Sequence, residues 1–297
     1  MLNIAINGFG RIGRTAFRIL SRRPNNHVVA INDLAGVATA AHLLRYDSNY
    51  GVFEQVVTND ETSLTVNSQV TQVLSTKDAT TLPWRELGVD VVIEATGKYL
   101  EREAANQHLG AGAKAVVITA PGKGDNPPAI FVRGVNDANL HQESIISNAS
   151  CTTNSLAPTM QVLQEIFGVE ASLMTTVHAY TGDQRLQDAD HKDLRRARAA
   201  AANIIPTTTG AAIAVTQVIP SLTGKFDGVA LRVPVSVGSI SDITAVLKRP
   251  ATVDEINAAF TAAANEPRYA GILTVTTDPI VSSDIVGSPY SAIVDLG

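Results

Sequence analysis

Two short stretches of this sequence hold residue types that chemistry uses and packing does not need. The first is Gly8-Phe9-Gly10-Arg11-Ile12-Gly13, a G-x-G-x-x-G string that follows the apolar run Asn3–Asn7 and opens a helical pattern. Gly8, Gly10 and Gly13 permit a tight turn and close backbone approach, and a helix N-terminus suits a pyrophosphate. Glycine-rich turns are common, so the string alone says little. Here a second apolar run ends in Asn32-Asp33, which sets a carboxylate about 20 residues beyond the last glycine. Asp33 can then accept hydrogen bonds from an adenosine ribose. It would repel a 2′-phosphate, and Leu34 offers no replacement donor, so the pattern favours NAD over NADP. The competing reading is a structural turn followed by a solvated aspartate.

The second stretch is Ser150-Cys151-Thr152-Thr153-Asn154, placed where a strand pattern gives way to a helix. A thiol at a helix N-terminus feels partial positive charge, which favours the nucleophilic thiolate. A lone cysteine is more often a small buried hydrophobe. Hydroxyls and an amide surround this one, which makes a poor core segment and a good polar site. His178 ends the next strand pattern and could return to the same sheet edge as a base for Cys151. The residues alone leave it equally open to a structural role.

These groups need elements to hold them. The 297 residues are too many for one ordinary core and suit two domains, with a boundary at about residue 149. Residues 1–149 alternate short apolar runs with helical patterns, the mark of a parallel, helix-covered α/β sheet. Strands are expected at Asn3–Asn7, Val28–Asn32, Val89–Glu94, Ala115–Thr119 and Ser144–Asn148, with a helix over Arg11–Leu20 that Pro24 follows. Weaker strand patterns at Gln55–Val57 and Leu64–Val66 suggest an antiparallel excursion. In residues 150–297, helices are expected over Cys151–Phe167 and Val253–Ala264. Strands are expected at Leu173–Ala179, Gly228–Val235, Ser239–Lys248 and Ile272–Thr276. A polar, arginine-rich stretch, Tyr180–Ala202, separates the first two strands. Long strands with few helices between them imply an α+β domain with a mixed or antiparallel sheet.

Composition narrows the function classes. An apolar share of 45% with 17% charged residues is that of a soluble globular protein, and no apolar run is long enough to span a membrane. The first residues enter a strand pattern directly, without a secretory signal. A single cysteine cannot form an internal disulfide, which fits a reducing, cytoplasmic setting. A net charge of −5 argues against a general nucleic-acid or membrane surface. No Cys/His cluster offers a metal site.

Six strings then occur in order: INGFGRIGR at 6–14, SCTTN at 150–154, TVHAYTGDQ at 176–184, DLRRARAAA at 193–201, IIPTTTGAA at 204–212 and ALRVPV at 230–235. Together they closely resemble phosphorylating glyceraldehyde-3-phosphate dehydrogenases, over essentially the whole chain. The resemblance implies a Rossmann-type NAD-binding domain at 1–149, a catalytic domain at 150–297 and a homotetramer. It makes Cys151 the nucleophile and His178 its base, in a reaction that converts glyceraldehyde 3-phosphate and inorganic phosphate to 1,3-bisphosphoglycerate through a cysteine thioester. It assigns Thr181, Asp183 and Arg232 to the substrate phosphate, and Ser150, Thr152, Arg196, Thr209 and Gly210 to the inorganic phosphate. It matches Arg11, Ile12, Asp33, Lys77, Thr96 and Thr119 to NAD contacts, although an exposed loop lysine is an equal reading of Lys77. By residue type, Arg195, Arg196 and Arg198 could be a solvated face, whereas Arg232 lies in an apolar strand pattern and needs an anionic partner.

Family chains normally continue past the point where this sequence ends, Ile293-Val294-Asp295-Leu296-Gly297. The usual tail carries an Asn-Glu-Trp-Gly-Tyr segment whose Asn holds the nicotinamide carboxamide. The resemblance thus carries the expectation of a truncated chain that binds NAD weakly, aggregates readily and turns over poorly. Asp190 stands where NAD-using relatives often have proline. Two alternatives accompany the main reading: an erythrose-4-phosphate dehydrogenase, which typically lacks the Ala179–Asp183 string, and a non-catalytic NAD-binding or redox protein.

Overall fold

The computed structural model describes residues 1–140 and 143–297, and the chain divides into two compact units. Unit 1 comprises Met1–Phe131 with Leu140–Ala149, and unit 2 comprises Val132–Asn139 with Ser150–Gly297.

In unit 1 the elements run β1 (Leu2–Asn7), α1 (Arg11–Leu20), β2 (Asn26–Asn32), α2 (Val37–Arg45), β3 (Tyr46–Asp47), β4 (Gly51–Val52), β5 (Val57–Asn59), β6 (Ser63–Val66), β7 (Gln69–Leu74), β8 (Val91–Glu94), α3 (Arg102–Gly110), β9 (Ala115–Ile118), β10 (Ala129–Ile130) and β11 (Ile145–Ser147). One sheet has the order β10-β11-β9-β8-β1-β2-β7-β6-β5. It is parallel from β10 to β7 and antiparallel from β7 to β5. The order reverses at β1, so a crevice opens beyond the C-terminal ends of β1 and β8. Alternation along the strands splits the core in two. Ala5, Ala30, Val92 and Val116 face Trp84 and Ala105 on one side, while Ile6 and Ile31 face Phe17, Ala41 and Leu44 on the other. The first helix spans the residues expected of it. Helices α2 and α3 were not expected, and the strand expected at Gln55–Val57 begins only at Val57.

Unit 2 holds α4 (Cys151–Ile166), β12 (Val169–Ala179), β13 (Ile205–Thr207), α5 (Ala211–Val218), β14 (Phe226–Val233), β15 (Ser239–Leu247), α6 (Val253–Ala264), β16 (Leu273–Thr276) and β17 (Ala292–Asp295). A four-stranded sheet has the order β13-β14-β12-β15, with β12 parallel to β14 and antiparallel to β15. It is mixed, as the sequence suggests. Strand β12 starts at Val169, ahead of the expected Leu173, across a register shift between Val169 and Ala171. Strand β14 stops at Val233, before Pro234, which has no N–H to give a ladder. Helix α6 begins in a capping box: Glu255 N–H donates to Thr252 Oγ1 at 3.2 Å, and Thr252 N–H donates to Glu255 Oε2 at 2.8 Å.

The fingerprint glycines have separate duties. A Cβ on Gly13 would sit 2.1 Å from the Gly8 carbonyl oxygen, whereas one on Gly10 would meet nothing within 4 Å. Gly13→Ala should therefore destabilise unit 1 by about 1–3 kcal/mol, an overpacking cost, while Gly10→Ala leaves unfolding nearly unchanged. Thermal unfolding of the two variants checks this; equal melting temperatures would contradict it.

Candidate active site

Cys151 is the first residue of α4. Ser150 takes extended backbone angles as N-cap, and its Oγ accepts from Thr153 N–H at 3.0 Å. Ala149 before it has a positive φ of 57°, unusual for alanine, so the chain turns sharply into the helix. The sulfur is left at the surface. His178 lies one residue before the end of β12, and its Nε2 is 3.3 Å from Cys151 Sγ. Desolvation is the largest single influence on the thiol and raises its pKa. The hydrogen bond and charge of His178, with bonds from the Thr152 hydroxyl and amide, outweigh it and hold the thiol below its ordinary range.

Strand register supplies the next residue. In the β12–β14 pair His178 stands opposite Arg232, and Arg232 Nη1 approaches His178 Nδ1 at 3.0 Å, Ala179 O at 3.1 Å and Thr181 Oγ1 at 3.2 Å. Ala179 O is also 2.7 Å from Nδ1. A guanidinium can only donate, so an Nδ1–H and Arg232 cannot bond one another, but both can donate to the same carbonyl. The shorter contact assigns the proton to Nδ1, which leaves Nε2 bare toward the sulfur.

Polar contacts continue outward from Arg232. The Thr181 hydroxyl donates to Asp183 Oδ1 in a short bond, and Asp183 Oδ2 pairs with Arg196 Nη1 at 2.6 Å. Arg196 Nε and Nη2 donate to Thr207 Oγ1 at 3.2 and 2.8 Å. The Asp183 carboxyl is pushed up by burial, but the Thr181 bond and the charges of Arg196 and Arg232 bring it below the ordinary range. Burial pulls the Arg232 guanidinium down, and its buried Nε has no hydrogen-bond partner. The anionic partner expected for Arg232 is not a direct ion pair within the described residues; Asp183 acts on it through space, across Thr181. An orphaned buried guanidinium N–H beside a second arginine is a donor set suited to a phosphate.

The expected nucleophile and base, Cys151 and His178, thus join four of the residues expected at the phosphates, Arg232, Thr181, Asp183 and Arg196, in one connected chain. Ser150 is engaged in capping α4. Thr209 and Gly210 stand at the start of α5, where Thr209 Oγ1 accepts from Ala211 N–H at 3.2 Å. They follow Thr207, the hydroxyl that receives Arg196. Sequence reading missed Thr207; one hydroxyl among three adjacent threonines carries no distinguishing signal.

Unit 1 holds the fingerprint. Gly10 is the N-cap of α1 and supplies no capping side chain, so the first N–H groups of this ten-residue helix have no side-chain cap, and the space beside Gly10 is open. Asp33 Oδ2 accepts from Phe9 N–H at 2.7 Å and Oδ1 from Ala35 N–H at 2.9 Å, which fixes the carboxylate beside the glycine turn. This arrangement fits a dinucleotide. Arg11 pairs with Asp47 at 2.9 Å and lies over the Tyr50 ring, while Ile12 is exposed. Lys77 is exposed and offers its carbonyl to Tyr99 Oη at 2.8 Å. Thr96 donates to Glu94 Oε1 in a short bond, and Thr119 Oγ1 donates to the Glu94 carbonyl at 3.1 Å.

Two family models match the chain: glyceraldehyde 3-phosphate dehydrogenase, NAD binding domain, over residues 2–102, and the C-terminal domain of the same enzyme over residues 150–297. The chain belongs to the glyceraldehyde-3-phosphate dehydrogenase family. It is 52% identical to a chloroplastic glyceraldehyde-3-phosphate dehydrogenase of Arabidopsis thaliana, over 99% of this chain and 74% of that protein. Identity to the glyceraldehyde-3-phosphate dehydrogenase of Streptomyces coelicolor is 51%, over 99% of this chain and 88% of the relative. For the Geobacillus stearothermophilus protein it is 50%, with the same coverage, 99% and 88%. The fold class and NAD as cofactor follow from this membership.

The Cys151–His178 contact makes a direct prediction. Iodoacetamide labelling of Cys151 should follow an apparent pKa below that of a free thiol, because deprotonation is favoured in the folded protein. His178→Asn removes the largest lowering influence and should shift the midpoint upward. A rate profile identical to that of a free cysteine peptide would contradict the geometry.

Proposed function

We propose that this chain oxidises glyceraldehyde 3-phosphate to 1,3-bisphosphoglycerate, using NAD and inorganic phosphate, through a thioester on Cys151. The observation that carries the reading is the 3.3 Å contact between Cys151 Sγ and a bare His178 Nε2 at a helix N-terminus. In this scheme His178 Nε2 takes the thiol proton, and the thiolate adds to the aldehyde carbon. The oxyanion takes that proton back as a thiohemiacetal hydroxyl; as the hydride leaves the same carbon, Nε2 accepts the hydroxyl proton again. NAD, when bound, accepts the hydride. Phosphate oxygen then attacks the acyl carbon, and the electron pair of the C–S bond returns to Cys151. Nδ1–H to Ala179 O holds the ring while Nε2 gains and loses its proton. The Cys151 backbone N–H, and His178 Nε2 once it carries the thiol proton, are the donors placed for the developing oxyanion.

Cofactor and anion contacts are part of the same proposal. Residues 1–149 form the NAD domain, with Gly8, Gly10, Arg11, Ile12, Gly13, Asp33, Lys77, Thr96 and Thr119 at the cofactor; residues 150–297 form the catalytic domain. Arg232, Thr181 and Asp183 take the substrate phosphate. Arg196, Ser150, Thr152, Thr209 and Gly210 take the inorganic phosphate. Asp33 disfavours NADP by charge and by its position beside the glycine turn.

A homotetramer is supported by one face of the unit 2 sheet. Leu173, Val229, Ile240 and Val246 are 64%, 55%, 67% and 55% exposed. Strand pairing sets them on one face, since Val229 opposes Thr175, Ile240 opposes Val177 and Val246 opposes Ala171. An apolar face of this kind suits association with another copy. A cytoplasmic location fits the lone free thiol and the bacterial relatives.

The decisive assay is NADH formation from glyceraldehyde 3-phosphate with and without phosphate; continuous turnover without phosphate would refute the scheme. Arg232→Ala should mainly raise the aldehyde KM, and Arg196→Ala the phosphate requirement, each by about 10-fold or more, as for lost charge-assisted hydrogen bonds. Because Asp183 touches Arg196 and acts on Arg232, the two effects should be non-additive in the double variant. A loss confined to NAD binding would show that either arginine is misplaced.

A further inference from the structure

A second polar assembly lies in unit 1 and includes neither Cys151 nor His178. Asn32, Asn7 and Glu94 are the last residues of β2, β1 and β8, and strand register sets them side by side: Asn7 opposes both Asn32 and Glu94. All three are buried, Glu94 to 1% exposure. Asn32 Nδ2 donates to Asn7 Oδ1 at 2.7 Å, and Asn7 Nδ2 donates to Glu94 Oε2 at 2.6 Å. From the other side, fully buried His108 on α3 meets Glu94 Oε2 with Nε2 at 3.1 Å, and Trp84 Nε1 reaches His108 Nδ1 at 3.0 Å. An indole N–H can only donate, so Nδ1 is an acceptor and Nε2 carries the proton that points at Glu94. Glu94 Oε1 is filled by the Thr96 N–H at 2.7 Å and by the Thr96 hydroxyl.

Every bond in this set runs toward one carboxylate. A buried carboxylate without an arginine or lysine partner is costly and persists only when hydrogen bonds saturate it. Apolar residues would fill the same space at less cost, so the location matters. Asn7 precedes Gly8, Asn32 precedes Asp33, and Glu94 precedes Ala95-Thr96. Gly8 lies directly on that last segment: a Cβ there would be 2.7 Å from Ala95 C and Thr96 N. The Thr96 amide that Gly8 packs against is the one Glu94 holds.

We propose that Glu94, oriented by the Trp84–His108 pair, is a positioning residue for the dinucleotide site. It clamps the ends of three strands so that the glycine turn, Asp33 and the Thr96 segment keep the spacing the cofactor needs. This rests on the reading of Gly8–Gly13 and Asp33 as the NAD site. In Glu94→Gln an amide NH2 must face either His108 and Asn7 or Thr96, donor against donor. Trp84→Phe removes the N–H that fixes the His108 tautomer together with part of the buried indole volume, so its melting temperature is read beside its NAD affinity.

The test is steady-state kinetics and NAD titration on the full chain for Glu94→Gln, Trp84→Phe and Asp33→Ala, with melting temperatures recorded alongside. Glu94→Gln should raise the KM and Kd for NAD about 10-fold or more, and Trp84→Phe about 3-fold, as expected for unpaired buried donors. In both, kcat and the KM values for aldehyde and phosphate should stay within about 2-fold, since those groups belong to unit 2. A fall in melting temperature with unchanged NAD affinity would reduce the network to a structural role and overturn the proposal. If Glu94→Gln does not fold, Trp84→Phe decides, and an unchanged NAD KM there overturns it. Asp33→Ala separates the two readings. If it leaves NAD binding intact, the site assignment itself fails. If it weakens NAD while Glu94→Gln does not, only the positioning role fails.

Discussion

A thiolate is useful only where something keeps it ionised and takes a proton on its behalf. In the mechanism proposed for this chain both tasks fall to His178, whose Nε2 is 3.3 Å from Cys151 Sγ. The contact joins the first residue of α4 to the end of β12, the strand that follows it. Several separate features converge on those few ångströms. Ser150 caps the helix and so fixes where Cys151 begins it. Strand β12 runs long enough to bring His178 back to the helix start. The Ala179 carbonyl holds the ring by Nδ1, and Arg232, opposite His178 in the ladder, shares that carbonyl.

Arg232 connects the Cys151–His178 pair to the residues proposed for the phosphates. Its partners lead through Thr181 to Asp183 and on to Arg196. Two guanidinium groups near one another repel, and the carboxylate between them offsets that repulsion. The cluster can then hold two arginines at once while leaving a buried Arg232 N–H for an incoming oxygen. Charge balance therefore shapes the site as much as residue identity does, and Asp183 is set between the charges of Arg196 and Arg232.

Much of this was legible in the sequence, for physical reasons that differ by element. Helix α1 and helix α6 have clear starts, a glycine turn in one and a Thr252–Glu255 capping box in the other, and both were read residue for residue. Helix α5, Ala211–Val218, is apolar nearly throughout, so it has no polar face to betray a helical period. Strand β17 is only four residues long. Cys151 announced itself through its polar neighbours, but its pairing with His178 depends on tertiary register that no local pattern encodes. Glu94, His108 and Trp84 were invisible for the same reason. They come from a strand, a helix and a loop, and each alone looks like an ordinary core-flanking residue. Arg232 was noticed because a charge inside an apolar strand is expensive; its neighbours could be found only from the sheet pairing.

The most direct test of the central claim is to look for the acyl group itself. The enzyme, mixed with NAD and glyceraldehyde 3-phosphate in phosphate-free buffer, is quenched in acid and its peptides are weighed. A cysteine thioester route leaves an acyl adduct on the peptide bearing Cys151, formed with one equivalent of NADH and discharged when phosphate is added before the quench. NADH formation with no adduct, or an adduct on another residue, would contradict it.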